Sequence, residues 1–175
     1  MVTTKNITNL SNLSKMERES INKINWENLI CNGGTLRLSN ILTWFDEGDN
    51  IVLAYDNDEI IGYALIKKPI NEGIGFMKSC AGEIIDNNFS WSKIVSNPNA
   101  LYIAQIAIAK DKQGCGVATT IIESMNNFVI VSNARAKNTR SHKMHLKNGF
   151  QIIGGSTYKN ELYDVLYYRD VKKCV

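Results

Sequence analysis

The stretch Gln113-Gly114-Cys115-Gly116-Val117-Ala118 limits what this chain can fold into more than any other. It follows the apolar run from Leu101 to Ala109 and opens a helical pattern from Val117 to Phe128. A strand that feeds a glycine turn and then a helix sets bare backbone N–H groups at a positive helix end. Such a loop can hold a phosphate or pyrophosphate without a basic side chain. Glycine is required because a side chain there would keep the ligand off the backbone. The expectation is an α/β domain that binds a phosphorylated cofactor.

Three kinds of cofactor loop compete for these residues. A nucleoside triphosphate loop ends in Gly-Lys-Ser/Thr, which this chain lacks. A dinucleotide loop needs a third glycine, where Thr119 stands, and an acidic residue closing the next strand, where Ser132 and Asn133 stand. The remaining spacing, Gln-x-x-Gly-x-Ala at Gln113, Gly116 and Ala118, resembles the coenzyme A pyrophosphate loop of the GNAT acetyltransferase superfamily. An ordinary strand-to-helix turn could carry the same six residues, so order along the chain decides. Asn138-Thr-Arg-Ser141-His-Lys-Met-His145-Leu-Lys-Asn-Gly149-Phe150 resembles the family's helix after the next strand, with Ser141 for the usual alanine and His145 for the usual tyrosine. Asp56-Asn57-Asp58-Glu59-Ile60-Ile61-Gly62-Tyr63 is similar to its early hairpin. The three stretches run in the family's order from about Val52 to Phe150.

The resemblance implies one α/β domain over 1–175, with its motifs within about 51–168. The sheet should be mixed, mostly antiparallel and flanked by helices. Acetyl-coenzyme A would lie along the strand ending at Ala109. The backbone of Ile106, Ala107 and Ile108 would pair with its pantetheine arm. Gln113 and the N–H groups of Gly114, Cys115, Gly116, Val117, Ala118 and Thr119 would hold the pyrophosphate. Asn138 and Ser141 join this cofactor set. His145 is the candidate acid for the departing thiolate, since a histidine can donate a proton near neutral pH; the alternative donor is water. His142 reads as solvated or structural. The general base is not visible. Relatives often use a glutamate in the coenzyme-bearing strand, where this chain has Ala104-Gln105-Ile106. Glu47 and Glu83 are the substitutes to consider, each equally readable as a surface carboxylate. Cys115 could in principle carry an acetyl group from a helix N-terminus, but its loop should face the pyrophosphate rather than the thioester.

Local signals fill in the layout. A short strand is expected near Lys5 to Leu10. Ser14-Lys-Met-Glu17 is a capping box opening a helix to about Ile24. Asn32-Gly33-Gly34 breaks the chain, and Leu38, Ile41, Leu42 and Phe45 share one face of a second helix. Ile51 to Tyr55 and Ile60 to Lys67 form a hairpin around Asn57-Asp58. The segment from Lys68 to Asn99 is long, glycine-bearing and both aromatic and acidic, so it is expected to wall the acceptor cleft, with Gly75 to Met77 and Glu83 to Ile85 extending the sheet. Strands at Phe128 to Asn133, Gln151 to Gly154 and Leu162 to Tyr168, and a helix from Asn138 to Asn148, complete it.

Composition then narrows the partners. A net charge of +3 with both signs scattered argues against nucleic acid and a membrane surface. No apolar run is of spanning length. Cys31, Cys80, Cys115 and Cys174 form no Cys-x-x-Cys pair and both histidines lie in one helix, so no metal is expected and a reducing cytoplasm is the simplest setting. A homodimer is left open. The function expected from the resemblance is acetyl transfer to a primary amine of a small molecule or a peptide or protein, by direct attack in a ternary complex. The alternative is a non-catalytic acyl-coenzyme A-binding or regulatory domain. The acceptor itself is not written in the chain.

Overall fold

The computed structural model describes residues 1–32, 42, 49–69, 83–84, 91–158 and 161–170. In chain order its elements are β1 (Val2–Ile7), α1 (Lys15–Asn32), β2 (Asn50–Asp56), β3 (Glu59–Lys67), β4 (Glu83–Ile84), α2 (Trp91–Val95), β5 (Ala100–Ile108), α3 (Val117–Glu123), β6 (Val129–Arg135), α4 (Thr139–Lys147), β7 (Gln151–Tyr158) and β8 (Glu161–Arg169). This is an α/β fold with mixed, mostly antiparallel strand pairing. It divides into two compact units: Met1–Lys67 with Ala104–Met125, and Lys68–Ile103 with Asn126–Val175. No helix among the described residues is long and apolar enough to cross a membrane.

In the first unit the strand order is β1-β2-β3-β5. β1 and β2 pair antiparallel from Val2↔Asp56 to Ile7↔Ile51. The β2–β3 hairpin closes on Asn57, whose φ of 55° is the left-handed conformation that asparagine tolerates. Helix α1 starts at the expected capping box. The Glu17 N–H donates to Ser14 Oγ at 3.2 Å, and the Ser14 N–H donates to Glu17 Oε2 at 2.7 Å. The Glu17 carboxylate also accepts from the Tyr55 hydroxyl at 2.7 Å and from Lys5 Nζ at 3.0 Å. These donors, Tyr55 first and the Ser14 N–H second, pull its pKa down to about 2. Ile21 and Ile24 of α1 then pack with Ile51, Leu53, Tyr63, Leu65 and Ala107.

The second unit orders its strands β5-β6-β8-β7-β4. β5 enters it through a parallel ladder from Ala100↔Val129 to Ile103↔Ser132. The β6–β8 and β7–β8 ladders are antiparallel, and β7 carries irregularities at Ile152/Gly154 and Ser156/Thr157. β4 adds to β7 through Glu83↔Gly155 and Ile84↔Gly154, so this part of the long segment does extend a sheet. Ile94, Ala100, Val131 and Ile153 form a core cluster.

Several boundaries differ from the sequence expectation. β1 begins at Val2 rather than Lys5, and α1 runs on to Asn32 rather than stopping at Ile24. α3 ends at Glu123, after which Ser124 Oγ donates to the Ile121 carbonyl at 2.7 Å. β7 continues through its glycines to Tyr158. Of the expected second helix only Leu42 is described, buried in the first unit's core. Most of 68–99, Gly75 to Met77 included, lies outside the described residues, as does Glu47.

The Glu17 contacts yield a direct stability test. Glu17→Ala removes half of the capping box and the acceptor of the Tyr55 hydroxyl. It should lower unfolding free energy by about 1–2 kcal/mol, the scale of a lost helix cap. Glu17→Gln, which keeps an acceptor oxygen, should lose less. Urea unfolding of the three proteins checks this; equal midpoints for parent and Ala variant would refute it.

Candidate functional site

The Gln-x-x-Gly-x-Ala loop lies in the first unit. β5 ends at Ile108, a 3-10 turn covers Lys110–Lys112, and α3 starts after Gly116. Gly114 and Gly116 have φ of 85° and 84°, and a Cβ built on either meets nothing within 4 Å. Any other residue would be strained there by roughly 1–2 kcal/mol and would fill the open space in front of the loop. The Cys115 N–H turns inward to the Lys112 carbonyl at 3.4 Å. Among the described residues the N–H groups of Gly116, Val117, Ala118 and Thr119 have no protein acceptor, the normal state of a helix's first turn. Cys115 itself is exposed and free.

The inner side of this loop is tied to α1. Gln113 Nε2 lies 3.3 Å from the Ile108 carbonyl and 3.4 Å from Asn28 Oδ1. Asn28 Nδ2 donates to the same Ile108 carbonyl at 3.0 Å and to the Ile24 carbonyl at 2.9 Å. Gln113 therefore braces the turn from inside, while the glycines face out. Lys112 and Asp56 form an ion pair at 3.0 Å on the loop's other flank; it lowers the Asp56 pKa and raises that of Lys112.

Earlier on β5, Gln105 occupies the place where a glutamate base was sought. Its Nε2 donates to Asn25 Oδ1 at 3.0 Å, and the Tyr63 hydroxyl lies 3.2 Å from its Oε1 and 3.3 Å from Asn25 Oδ1. Asn25 and Tyr63 are buried. Burial drives the Tyr63 pKa far above its ordinary value, so the cluster is neutral throughout the physiological range. Ile106 and Ile108 are half-buried and Ala107 is buried in the core.

Asn138, Ser141 and His145 come together in the second unit. Asn138 caps α4, its Oδ1 accepting from the Ser141 N–H at 3.1 Å. His145 is only 1% exposed. Its Nδ1 donates to the Ser141 carbonyl at 2.8 Å, which leaves Nε2 to accept from Ser132 Oγ at 2.9 Å. The ring stacks on Tyr167 at 4.2 Å and meets Phe150 edge-on at 5.1 Å. Desolvation lowers its pKa to about 4, against the Ser141 bond, which raises it. The ring is thus neutral near pH 7 with both nitrogens engaged, and in this arrangement it is a core residue. Both ring nitrogens of His142 are engaged as well: Nε2 donates to the Ala136 carbonyl at 2.9 Å and Nδ1 accepts from the Tyr167 hydroxyl.

Of the candidate bases, Glu83 lies in β4 and Glu47 is outside the described residues. No group of three histidine, cysteine, aspartate or glutamate side chains among the described residues could hold a metal ion. Sequence reasoning missed Asn25 and Asn28. The available signal was their spacing: they lie one and four residues after Ile24, on or beside the face α1 buries.

The profile of the Acetyltransferase (GNAT) family matches residues 18–150. The chain belongs to the GNAT acetyltransferase family. No curated protein sequence matches it significantly. Among solved structures, a GNAT-family acetyltransferase from Bacillus cereus ATCC 10987 is similar with a TM-score of 0.62, 17% identity and 97% of each chain covered. An acyl-CoA N-acyltransferase from Pseudomonas aeruginosa gives 0.63 at 8% identity, covering 97% of this chain and 100% of its own. The yncA protein of Salmonella typhimurium, solved with its cofactor acetyl-CoA, gives 0.60 at 12% identity, covering 97% and 94%. At these identities the likeness concerns the fold.

The His145 environment predicts a pH dependence of stability. Its folded pKa of about 4 lies below the ordinary 6.5. Between those values the unfolded chain binds the extra proton, so stability is full above pH 6.5 and is lost as pH falls toward 4. From pH 7.5 to 5 the loss attributable to this group is about 2 kcal/mol. His145→Phe should flatten that part of the profile. Urea unfolding across this range measures it, and parallel profiles for parent and variant would contradict the assignment.

Proposed function

We propose that the protein is an acetyl-coenzyme A-dependent N-acetyltransferase acting on a primary amine by direct attack in a ternary complex. The observation that carries this reading is the outward-facing loop with Gly114 and Gly116 at positive φ and open space where side chains would stand. Family membership implies acyl transfer, and the acetyl-CoA held by yncA supports the choice of donor.

When bound, acetyl-coenzyme A supplies the acetyl thioester. The N–H groups of Gly116, Val117, Ala118 and Thr119 would take the pyrophosphate, with Gly114 leaving room for it. The Cys115 N–H contributes little, being committed to Lys112. The backbone of Ile106, Ala107 and Ile108 would align the pantetheine arm, although the Ile108 carbonyl already serves Asn28. A strand N–H aimed at the thioester oxygen would stabilise charge as it develops there.

Proton handling follows from the residues available. Gln105 cannot accept a proton, and its amide is held by Asn25 and Tyr63. The acceptor's proton then goes to a carboxylate elsewhere, Glu83 or Glu47, or to water, unless the amine arrives neutral. His145 in its buried state holds its one ring proton against the Ser141 carbonyl. We assign the return of a proton to the thiolate to solvent, and to His145 the work of docking α4 on Ser132 of β6. His145→Phe and His145→Tyr should then keep kcat within a few-fold of the parent if folded; a loss of roughly 10²-fold in the Phe variant alone would restore the acid role.

A second reading, a non-catalytic acyl-coenzyme A-binding domain, draws on the same neutral Gln105 cluster. Acetyl transfer across a panel of primary amines separates the two: turnover supports the enzyme, and coenzyme binding without turnover supports the sensor. Both require the loop. Gly116→Val should weaken coenzyme A binding by at least about 2 kcal/mol, roughly 30-fold, through strain and blocked approach to the backbone. Calorimetry on the folded variant checks this, and unchanged affinity would remove the coenzyme assignment.

A further inference from the structure

We propose that Asn28 of α1 is a positioning residue for the pyrophosphate loop. It would set where that loop stands by holding the strand end before it and the residue that opens it. The inference rests on the coenzyme reading above and adds to it a residue outside the loop motif.

Each polar atom of the Asn28 side chain is used. Nδ2 donates to the Ile24 carbonyl at 2.9 Å, which anchors the amide on its own helix. The second Nδ2 hydrogen goes to the Ile108 carbonyl at 3.0 Å. Oδ1 accepts from Gln113 Nε2 at 3.4 Å. Ile108 is the last residue of β5, and Gln113 stands immediately before Gly114. One amide therefore grips the point where the strand ends and the point where the glycine turn begins. Gln113 adds a contact of 3.3 Å to the same Ile108 carbonyl, closing a ring of three partners.

Among the described residues the outer side of the loop offers no comparable support. Side chains at Gly114 and Gly116 would meet nothing within 4 Å. The Lys112–Asp56 pair at 3.0 Å joins two side chains that are each about a third exposed, so solvent screens it. Among the described residues its inner anchors are then the stronger hold on the loop's entry. An anion held by several backbone N–H groups at once is sensitive to their relative placement, so loosening the Asn28 ring should cost coenzyme affinity while the fold survives.

The test uses Asn28→Asp and Asn28→Ala in the full chain. The aspartate is isosteric and can still accept from Gln113, but it cannot donate to the Ile108 carbonyl. Coenzyme A binding is measured by calorimetry, and backbone hydrogen exchange by mass spectrometry on the free proteins. The expected result is a tenfold or greater rise in Kd in both variants, with faster exchange confined to 109–119. Gln113→Leu cuts the same ring from the other side and should reproduce the exchange pattern even if an Asn28 variant does not fold. Unchanged affinity in a folded Asn28 variant overturns the proposal. So does faster exchange spread through α1 and its neighbouring strands, or a Gln113→Leu protein whose loop exchanges like the parent's. A parent that does not bind coenzyme A would instead overturn the functional reading.

Discussion

The first unit is organised around how β5 is brought to a stop at Ile108. A strand end must place its last carbonyl somewhere, and this one is taken by side chains rather than by a neighbouring strand. One residue on, the Ala109 N–H donates to the Ile61 carbonyl at 2.9 Å, which holds the strand end against β3. The approach is tight at the next position of β3. A Cβ on Gly62 would lie 2.7 Å from Ile108 Cδ1, and 3.2 Å from both the Ala107 carbonyl oxygen and Val117 Cγ1. Gly62 therefore eases the meeting of β3, β5 and the first residue of α3.

Each unit holds a buried cluster of neutral polar groups that satisfy one another, beside the charged Lys67–Asp49 pair at 2.6 Å in the first. In the first, Asn25, Tyr63 and Gln105 share donors and acceptors without a formal charge. In the second, His145 keeps one proton on Nδ1 for a carbonyl and offers Nε2 to a serine hydroxyl. Neutral clusters avoid the desolvation cost of a buried ion, yet each unmatched member would cost about 1–3 kcal/mol. Such networks stabilise little in net terms and discriminate strongly between correct and shifted arrangements. The tyrosine usual at the His145 position would bring a hydroxyl in place of two ring nitrogens, so the histidine and its two serine partners act as a set.

How much could be read from the chain depended on the range of the interactions. The Ser14–Glu17 box, the Asn57 turn and the glycine loop are local, and each sits where its residues predicted. The end of α1 was misplaced for a physical reason. After Ile24 the face that had buried isoleucines carries Asn25 and Asn28, so apolar periodicity fades although the helix continues to the Asn32-Gly33 break. Those asparagines find their partners at Gln105 and Ile108, about eighty residues away, which no local pattern reveals. β7 runs past the Gly154 expected to end it, because pairing with β8 and β4 carries the strand on to Tyr158. The surroundings of His145 also lay beyond the sequence: nothing local on its polar helix shows that Tyr167, Phe150 and Ser132 enclose the ring.

The Gln-x-x-Gly-x-Ala spacing consequently has two physical halves. Gly116, with Gly114 beside it, faces outward, where backbone must be bare and φ positive. Gln113 faces inward, where an amide long enough to reach both Asn28 and the Ile108 carbonyl closes the turn from behind. An apolar residue at 113 could fill the same volume, but dispersion contacts tolerate sliding by fractions of an ångström. Hydrogen bonds weaken steeply with misdirection. On the coenzyme reading proposed above, a loop that aims several N–H groups at one anion would gain more from directional anchors than from additional burial. That reading accounts for amides where the helix could have carried leucines, and for the cost in helix signal that came with them.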